Sequence, residues 1–146
     1  MREGIRKSGN EVLELALLIA SRDTHTVIRI EAIKGLETLK TKKSIERLNE
    51  IALTDENLNA RWQALGALAK IGDPSSYQVF TQSFGSDDWL VREASIKGIL
   101  AYSGSIPEET ITPFVEQGLK DVNKSVTIAT LQNLKDRYET LYPLIR

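Results

Sequence analysis

Cysteine is absent from this chain of 146 residues, and histidine occurs once. Disulfide bridges and thiolate metal sites are therefore excluded, and one imidazole cannot by itself form a metal-ligand cluster or a catalytic triad. Aromatic residues make up only 6% of the chain, and its net charge is −1. A nearly neutral chain has no general electrostatic attraction to nucleic acid or to an anionic membrane.

Long hydrophobic segments are missing as well. The uninterrupted apolar run near the N-terminus, residues 15–20, is far too short to span a bilayer. Glu11 and Glu14 interrupt the stretch that follows the first basic residues, so it does not match a secretory signal. The sequence does not fix where the protein resides. The lack of a signal or a membrane span favours the cytoplasm.

A repeat is the main feature that is present. Arg29, Arg61 and Arg92 lie at intervals of 32 and 31 residues, and a fourth copy of the surrounding pattern is centred on Thr127, 35 residues further on. Self-similarity at a period in this range is typical of repeat proteins, in which each repeat is one supersecondary unit.

Each copy surrounds its central residue with the same apolar frame. The positions one before and three, four and seven after the centre fall on one stripe of an α-helix, so we expect them to be buried. The position five after the centre lies opposite and is expected to face solvent. In chain order the frame residues are Ile28, Ala32, Ile33 and Leu36; Ala60, Ala64, Leu65 and Leu68; Val91, Ser95, Ile96 and Ile99; and Val126, Thr130, Leu131 and Leu134.

An aspartate precedes every centre by five or six residues, where it can cap the first helical turn. A second amphipathic segment follows in each of the first three copies, at about 42–53, 75–84 and 108–119. Turns rich in glycine and proline separate the helices, and no alternating run of β-branched residues occurs. The sequence therefore predicts an all-α chain of antiparallel helix pairs.

A helix pair every ~32 residues, with aspartate in the turn between repeats, resembles a HEAT repeat. The residues that carry the resemblance are Ile28-Arg29 with Asp23, Ala60-Arg61 with Asp55, and Val91-Arg92 with Asp87. Among HEAT-like repeats it is closest to the short type named after phycobilisome lyases. The resemblance spans about residues 11–136 and implies a right-handed α-solenoid. We expect one domain, 1–146, made of a half repeat at about 10–22 and repeats at about 23–54, 55–86, 87–120 and 121–146, the last incomplete.

Neither end of the chain has the polar outer face that a terminal solenoid repeat needs. Residues 12–20 are apolar almost all round and align with the second helix of a repeat, and residues 141–145 end where another second helix would begin. We expect either a piece of a longer repeat array or self-association through these apolar ends. The alternative is that residues 1–9 fold over the first helix and cover it.

The aspartates and arginines of the repeat have two interpretations. A row of arginines can bind phosphate or carboxylate groups. The resemblance to HEAT-like repeats implies instead a structural ladder, in which each arginine pairs with an aspartate of a neighbouring turn. The ladder residues are Asp23, Arg29, Asp55, Arg61, Asp87, Arg92 and Asp121.

The remaining candidate residues do not form a catalytic set. His25 has no metal-binding or catalytic motif around it, so we interpret it as a solvent-exposed or capping residue in a turn. The HEAT-like hydroxylase that binds iron through repeated His-Glu pairs is excluded, because those pairs are missing. Trp62 is expected on the outer side of its helix, where it could anchor an interface. Trp89 is expected to pack between repeats.

The sequence thus favours a non-catalytic scaffold that binds another protein or a peptide, with no cofactor and no metal. The candidate binding residues are mainly polar positions of the second helices, together with one tryptophan: Glu46, Asn49, Glu50, Gln78, Gln82, Glu116, Gln117 and Trp62. A nucleic-acid-binding or alkylpurine-glycosylase-like module is one alternative, but the second helices lack a basic stripe. A bilin lyase or its accessory subunit is the other, implied by the repeat subtype.

Overall fold

The structure is a computed structural model that describes residues 2–141, with side chains described at 9–137 and 139. Within this range the chain is helical and contains no strand. The elements are α1 (Arg2–Ala20), α2 (Thr26–Leu39), α3 (Lys42–Thr54), α4 (Leu58–Ile71), a 3-10 turn (Pro74–Ser76), α5 (Tyr77–Ser83), α6 (Trp89–Ala101), α7 (Glu108–Leu119) and α8 (Lys124–Leu141). The expectation about residues 141–145 falls almost wholly outside the described residues.

The chain divides into two compact units, Met1–Ile71 and Gly72–Arg146. Unit 1 contains α1 to α4, and unit 2 contains the 3-10 turn and α5 to α8. The second helices predicted at 42–53, 75–84 and 108–119 are confirmed to within one or two residues. The grouping of all 146 residues into one domain, with the repeat boundaries given above, stays a prediction.

The N-terminal segment is not a cover for the first helix. Residues 2–9 continue α1 as its first turns, so the alternative in which they fold back over it is wrong. Left-handed backbone follows two helices. Lys40, with φ of 55°, ends α2, and Gly72, with φ of 70°, follows α4. Glycine adopts this conformation without steric cost, so the break predicted at Gly72 has a local cause.

The helices are capped by residues other than those predicted. Asn57, Asp88 and Asn123 accept hydrogen bonds from backbone N–H groups of the first turns of α4, α6 and α8. Asp55 and Asp121 accept instead from the N–H two residues on, which builds the turn before the helix. The predicted capping role of these aspartates is therefore wrong. A cap needs the extended backbone of the residue directly before the helix, and they lie too early.

The apolar frame is buried as predicted, with exceptions on the first and last helices that carry it. The side chains of Ile28 on α2 and Leu131 on α8 are 41% and 53% exposed, and Leu134 is half-buried. Within unit 1, α2 packs against α1, α3 and α4, and within unit 2, α8 packs against α6 and α7. The positions expected to face solvent do so in all four copies, at Lys34, Gly66, Lys97 and Gln132.

The two units fill their cores differently. Unit 1 buries aliphatic side chains such as Ile33, Leu48 and Leu65. Unit 2 buries Phe80, which lies beside Tyr102 with ring centroids 6.2 Å apart. The same helical frame therefore accommodates either kind of core.

Candidate protein-binding interface

Arg29 joins two turns of unit 1. Its Nε and Nη2 donate to the two carboxylate oxygens of Asp55 at 2.9 and 3.0 Å. Its Nη1 donates to the backbone carbonyls of Asp23 and Thr24 at 3.0 and 3.2 Å. The side chains of Arg29 and Asp55 are only 7% and 6% exposed. The guanidinium therefore links the turn before α2 to the turn before α4.

Arg92 repeats this arrangement in unit 2. Its Nε and Nη2 donate to Asp121 at 2.8 and 3.0 Å, and its Nη1 donates to the carbonyls of Ser86 and Asp87 at 3.0 and 2.9 Å. A planar guanidinium that holds a carboxylate with two parallel hydrogen bonds has used the edge with which it would bind a phosphate or carboxylate ligand. The geometry of both arginines therefore argues against an anion site there.

Both paired aspartates are held in their charged form. Burial raises the pKa of Asp55, but the hydrogen bonds from Arg29 and from the Asn57 N–H outweigh it, so the pKa is lowered overall. The Arg92 hydrogen bonds lower the pKa of Asp121 against a smaller opposing effect of burial. These are structural ion pairs that stay charged at neutral pH.

The other ladder residues make different contacts. Arg61 donates through Nε to the backbone carbonyl of Asp55. Asp23 accepts at 2.8 Å from the backbone N–H of His25, whose exposed ring lies 2.9 Å from the same carboxylate oxygen. Thr127, which replaces the fourth arginine, donates to the carbonyl of Gly118 at the end of α7. A continuous ladder through all seven predicted residues stays a prediction.

The candidate residues on α3 lie beside an arginine that the sequence analysis missed. Glu46 and Glu50 are exposed and Asn49 is half-buried, but Glu50 pairs with Arg47 on the same helix. Arg47 is largely buried and donates to the hydroxyl and backbone carbonyl of Ser21 at 2.9 and 2.8 Å. Nothing in the sequence indicated this contact, because Ser21 lies 26 residues away and outside the repeat pattern.

The candidate residues of unit 2 are polar and exposed. Gln78 and Gln82 lie on α5, and Glu116 and Gln117 lie on α7. The latter two line a surface cleft of about 750 Å³, together with Phe84, Asp87, Arg92, Lys120, Asp121 and Val122 among others. The cleft offers no nucleophile paired with a base, and within the described residues no group of histidine, aspartate and glutamate side chains could hold a metal.

The two tryptophans are both exposed. Trp62 is 41% exposed on α4, and Leu58, four residues earlier on the same helix face, is 46% exposed. Trp89 is 37% exposed in the first turn of α6, so it is only partly covered, and the expectation that it packs between repeats stays a prediction. A residue in the first turn of a helix has fewer neighbours than one in its middle, and Leu90 beside it is 39% exposed as well.

Comparison with known proteins places this arrangement in a family. A family model described as HEAT repeats matches residues 13–100, which is more than half of the chain. The chain belongs to the HEAT repeat family. HEAT repeats are typically protein-interaction scaffolds. No curated protein matches the chain.

The family match and the helices together confirm the predicted fold class, an all-α solenoid of helix pairs. In the described part of the chain, no helix is both long enough and apolar enough to cross a bilayer.

Proposed function

We propose that this HEAT repeat chain is a non-catalytic scaffold that binds a protein or peptide, with α4 of unit 1 as the main contact. The observation that supports this is the exposed apolar pair Leu58 and Trp62 on one face of α4. Tryptophan is strongly enriched among the residues that dominate binding energy in protein interfaces. An exposed tryptophan next to an exposed leucine therefore favours an interface over a purely structural role.

The shape of α4 supports the same proposal. Leu58, Trp62 and Gly66 follow one another at intervals of four residues along the helix. A Cβ atom built on Gly66 would meet nothing within 4 Å, so the surface beside the indole is open. A partner chain can approach the helix backbone there and pack against the ring. The apolar core does not require an indole at Trp62, since the equivalent position of α6 is Glu93.

The polar candidates would contribute differently. Glu46, Asn49, Glu50, Gln78, Gln82, Glu116 and Gln117 are polar side chains, and all but Asn49 are exposed. Polar contacts at the rim of an interface are individually worth little and mainly set specificity. We propose that substitutions at these positions alter partner choice more than affinity.

Site-specific photo-crosslinking tests the proposal. A photoreactive amino acid replaces Trp62 in one variant and Lys97, an exposed residue on α6, in a matched control. After irradiation in the source cells, we expect a discrete crosslinked protein at position 62 that is absent at position 97. Equal or absent crosslinking at the two positions would show that α4 is not the binding surface.

Two other functions predict different results. A nucleic-acid-binding or glycosylase-like module would retard a DNA duplex in a gel shift at low salt. The closer resemblance to phycobilisome-lyase-type repeats would instead predict a spectral change on mixing the chain with a bilin and an acceptor protein. We expect neither result, because the chain carries net charge −1 and its exposed anchor is apolar.

A further inference from the structure

The helix α1 exposes side chains that its counterpart α3 buries. Both are second helices of the repeat, since each precedes an aspartate and an arginine at the same spacing. No side chain from residue 9 to residue 20 is buried. Ile19 is 64% exposed, whereas Ile51, 32 residues later on α3, is 1% exposed. Val12 and Leu15, at 67% and 60%, extend the exposed apolar stripe toward the N-terminus.

The helix α8 has the converse feature. Leu131 is 53% exposed, although the residues at the same frame position in α2, α4 and α6 are at most 1% exposed; they are Ile33, Leu65 and Ile96. Ile128, three residues earlier and on the same face, is 52% exposed. The helix therefore presents two large apolar side chains, and at the position of Leu131 the other first helices bury theirs.

The two exposed faces lack different members of a helix pair. Inside unit 1, α3 packs against α2, the first helix of its own pair. Inside unit 2, α6 packs against α7, the second helix of its pair. Within the described residues no first helix precedes α1, and no second helix follows α8. In the described part of the chain, α1 therefore has no first helix of its own pair beside it, and α8 has no second helix of its own pair.

We propose that a second copy of this chain covers these faces, with α8 of one copy packing antiparallel against α1 of the next to complete a helix pair between molecules. The antiparallel direction is the one that paired repeat helices adopt. With Leu131 placed against Leu15, it brings Lys135, four residues after Leu131, toward Glu11, four residues before Leu15. Both side chains are exposed and opposite in charge. The interface joins unlike surfaces, so copies add head to tail.

Two half-blocked variants test this proposal. Leu15→Glu blocks the face of α1, and Leu131→Glu blocks the face of α8. Both side chains are more than half exposed, so the folded core keeps its packing, and circular dichroism checks that the helices are retained. Sedimentation velocity then follows each variant alone, their equimolar mixture, and the unmodified chain over a wide range of concentrations.

The head-to-tail interface predicts a distinct pattern. The unmodified chain forms species that grow with concentration, each variant alone is a monomer, and the mixture forms a dimer and nothing larger. A dimer of Leu131→Glu alone would overturn the proposal in favour of α1 packing against α1. The proposal would also be overturned if the unmodified chain were monomeric at every concentration. If either variant loses its helices, Ile19→Lys and Ile128→Lys replace them in the same mixing scheme.

Discussion

Unit 1 and unit 2 share one structural device, an arginine that links two turns, and differ in the core around it. In both, an arginine near the start of a first helix holds two backbone carbonyls of the preceding turn and the aspartate of the next turn. Unit 1 packs this device over an aliphatic core, and unit 2 packs it over a core with phenylalanine and tyrosine. The turn chemistry of the repeat is therefore independent of the residues that fill its core.

The difference is sharpest at one equivalent position. Gly35 and Gly98 each lie six residues after the paired arginine of their unit. A Cβ on Gly35 would meet the end of the Leu17 side chain, which is flexible and half-buried. A Cβ on Gly98 would enter the ring of Phe80, which is fully buried. Close helix packing makes glycine necessary in unit 2 and optional in unit 1.

The largest effect should come from breaking the shared device. Asp55→Ala leaves the guanidinium of Arg29, 7% exposed, without its carboxylate, and should lower the free energy of unfolding by about 3 kcal/mol or more. Asp121→Ala should act in the same way in unit 2. Urea denaturation measures both. Asp87→Ala is the control, because Arg92 hydrogen-bonds to the backbone carbonyl of Asp87 and not to its carboxylate. If Asp87→Ala lowered the free energy of unfolding as much as Asp55→Ala does, the assignment of Asp55 and Asp121 as the paired carboxylates would be contradicted.

The glycine comparison gives the next largest effect. Gly98→Ala should destabilise the protein by about 1–3 kcal/mol, since the Phe80 ring cannot move without disturbing its neighbours. Gly35→Ala should change the free energy of unfolding little, because Leu17 can rotate away and alanine favours the helix. Thermal unfolding of the two variants checks this. Similar shifts in Tm would show that the cores of the two units respond alike.

The ion pairs also predict how stability depends on pH. The folded-state pKa of Asp55 and Asp121 is lowered from the ordinary value of 3.8. Their contribution to stability is therefore complete above that value and is lost as the pH falls through the lowered folded pKa. The difference in the free energy of unfolding between the unmodified chain and Asp55→Asn should stay constant at pH values above the ordinary aspartate pKa. It should shrink as the pH falls below that value. Urea midpoints measured over a pH series test the direction. A difference that grows on acidification would refute it.

The smallest effect concerns the open surface of α4. Gly66→Ala should raise the free energy of unfolding by about 0.5–1 kcal/mol, because the helix gains a better helix former and the new methyl group meets nothing. Chemical denaturation of Gly66→Ala and of the unmodified chain measures this change. Destabilisation would mean that something already packs against this part of α4.

The sequence predicted the parts of the fold that depend on periodicity. Arg29 and its equivalents located the first helices, and the apolar frame identified most of the core. The exposure of Leu131 could not be predicted, since burial depends on whether a neighbouring helix is present. The helix caps were also missed, because a cap such as Asn57 is decided by the backbone of one residue. Arg47 was missed because its partner is distant in the sequence.

The affinity for the crosslinked partner tests the proposed function most directly. With that partner purified, Trp62→Ala should weaken binding by about tenfold or more, as expected when a central aromatic anchor is removed. The control, Lys97→Ala, should bind as the unmodified chain does. Calorimetric titration of the three proteins gives the comparison. Unchanged affinity of Trp62→Ala would contradict the account, because α4 would then not be the surface through which this scaffold holds its partner.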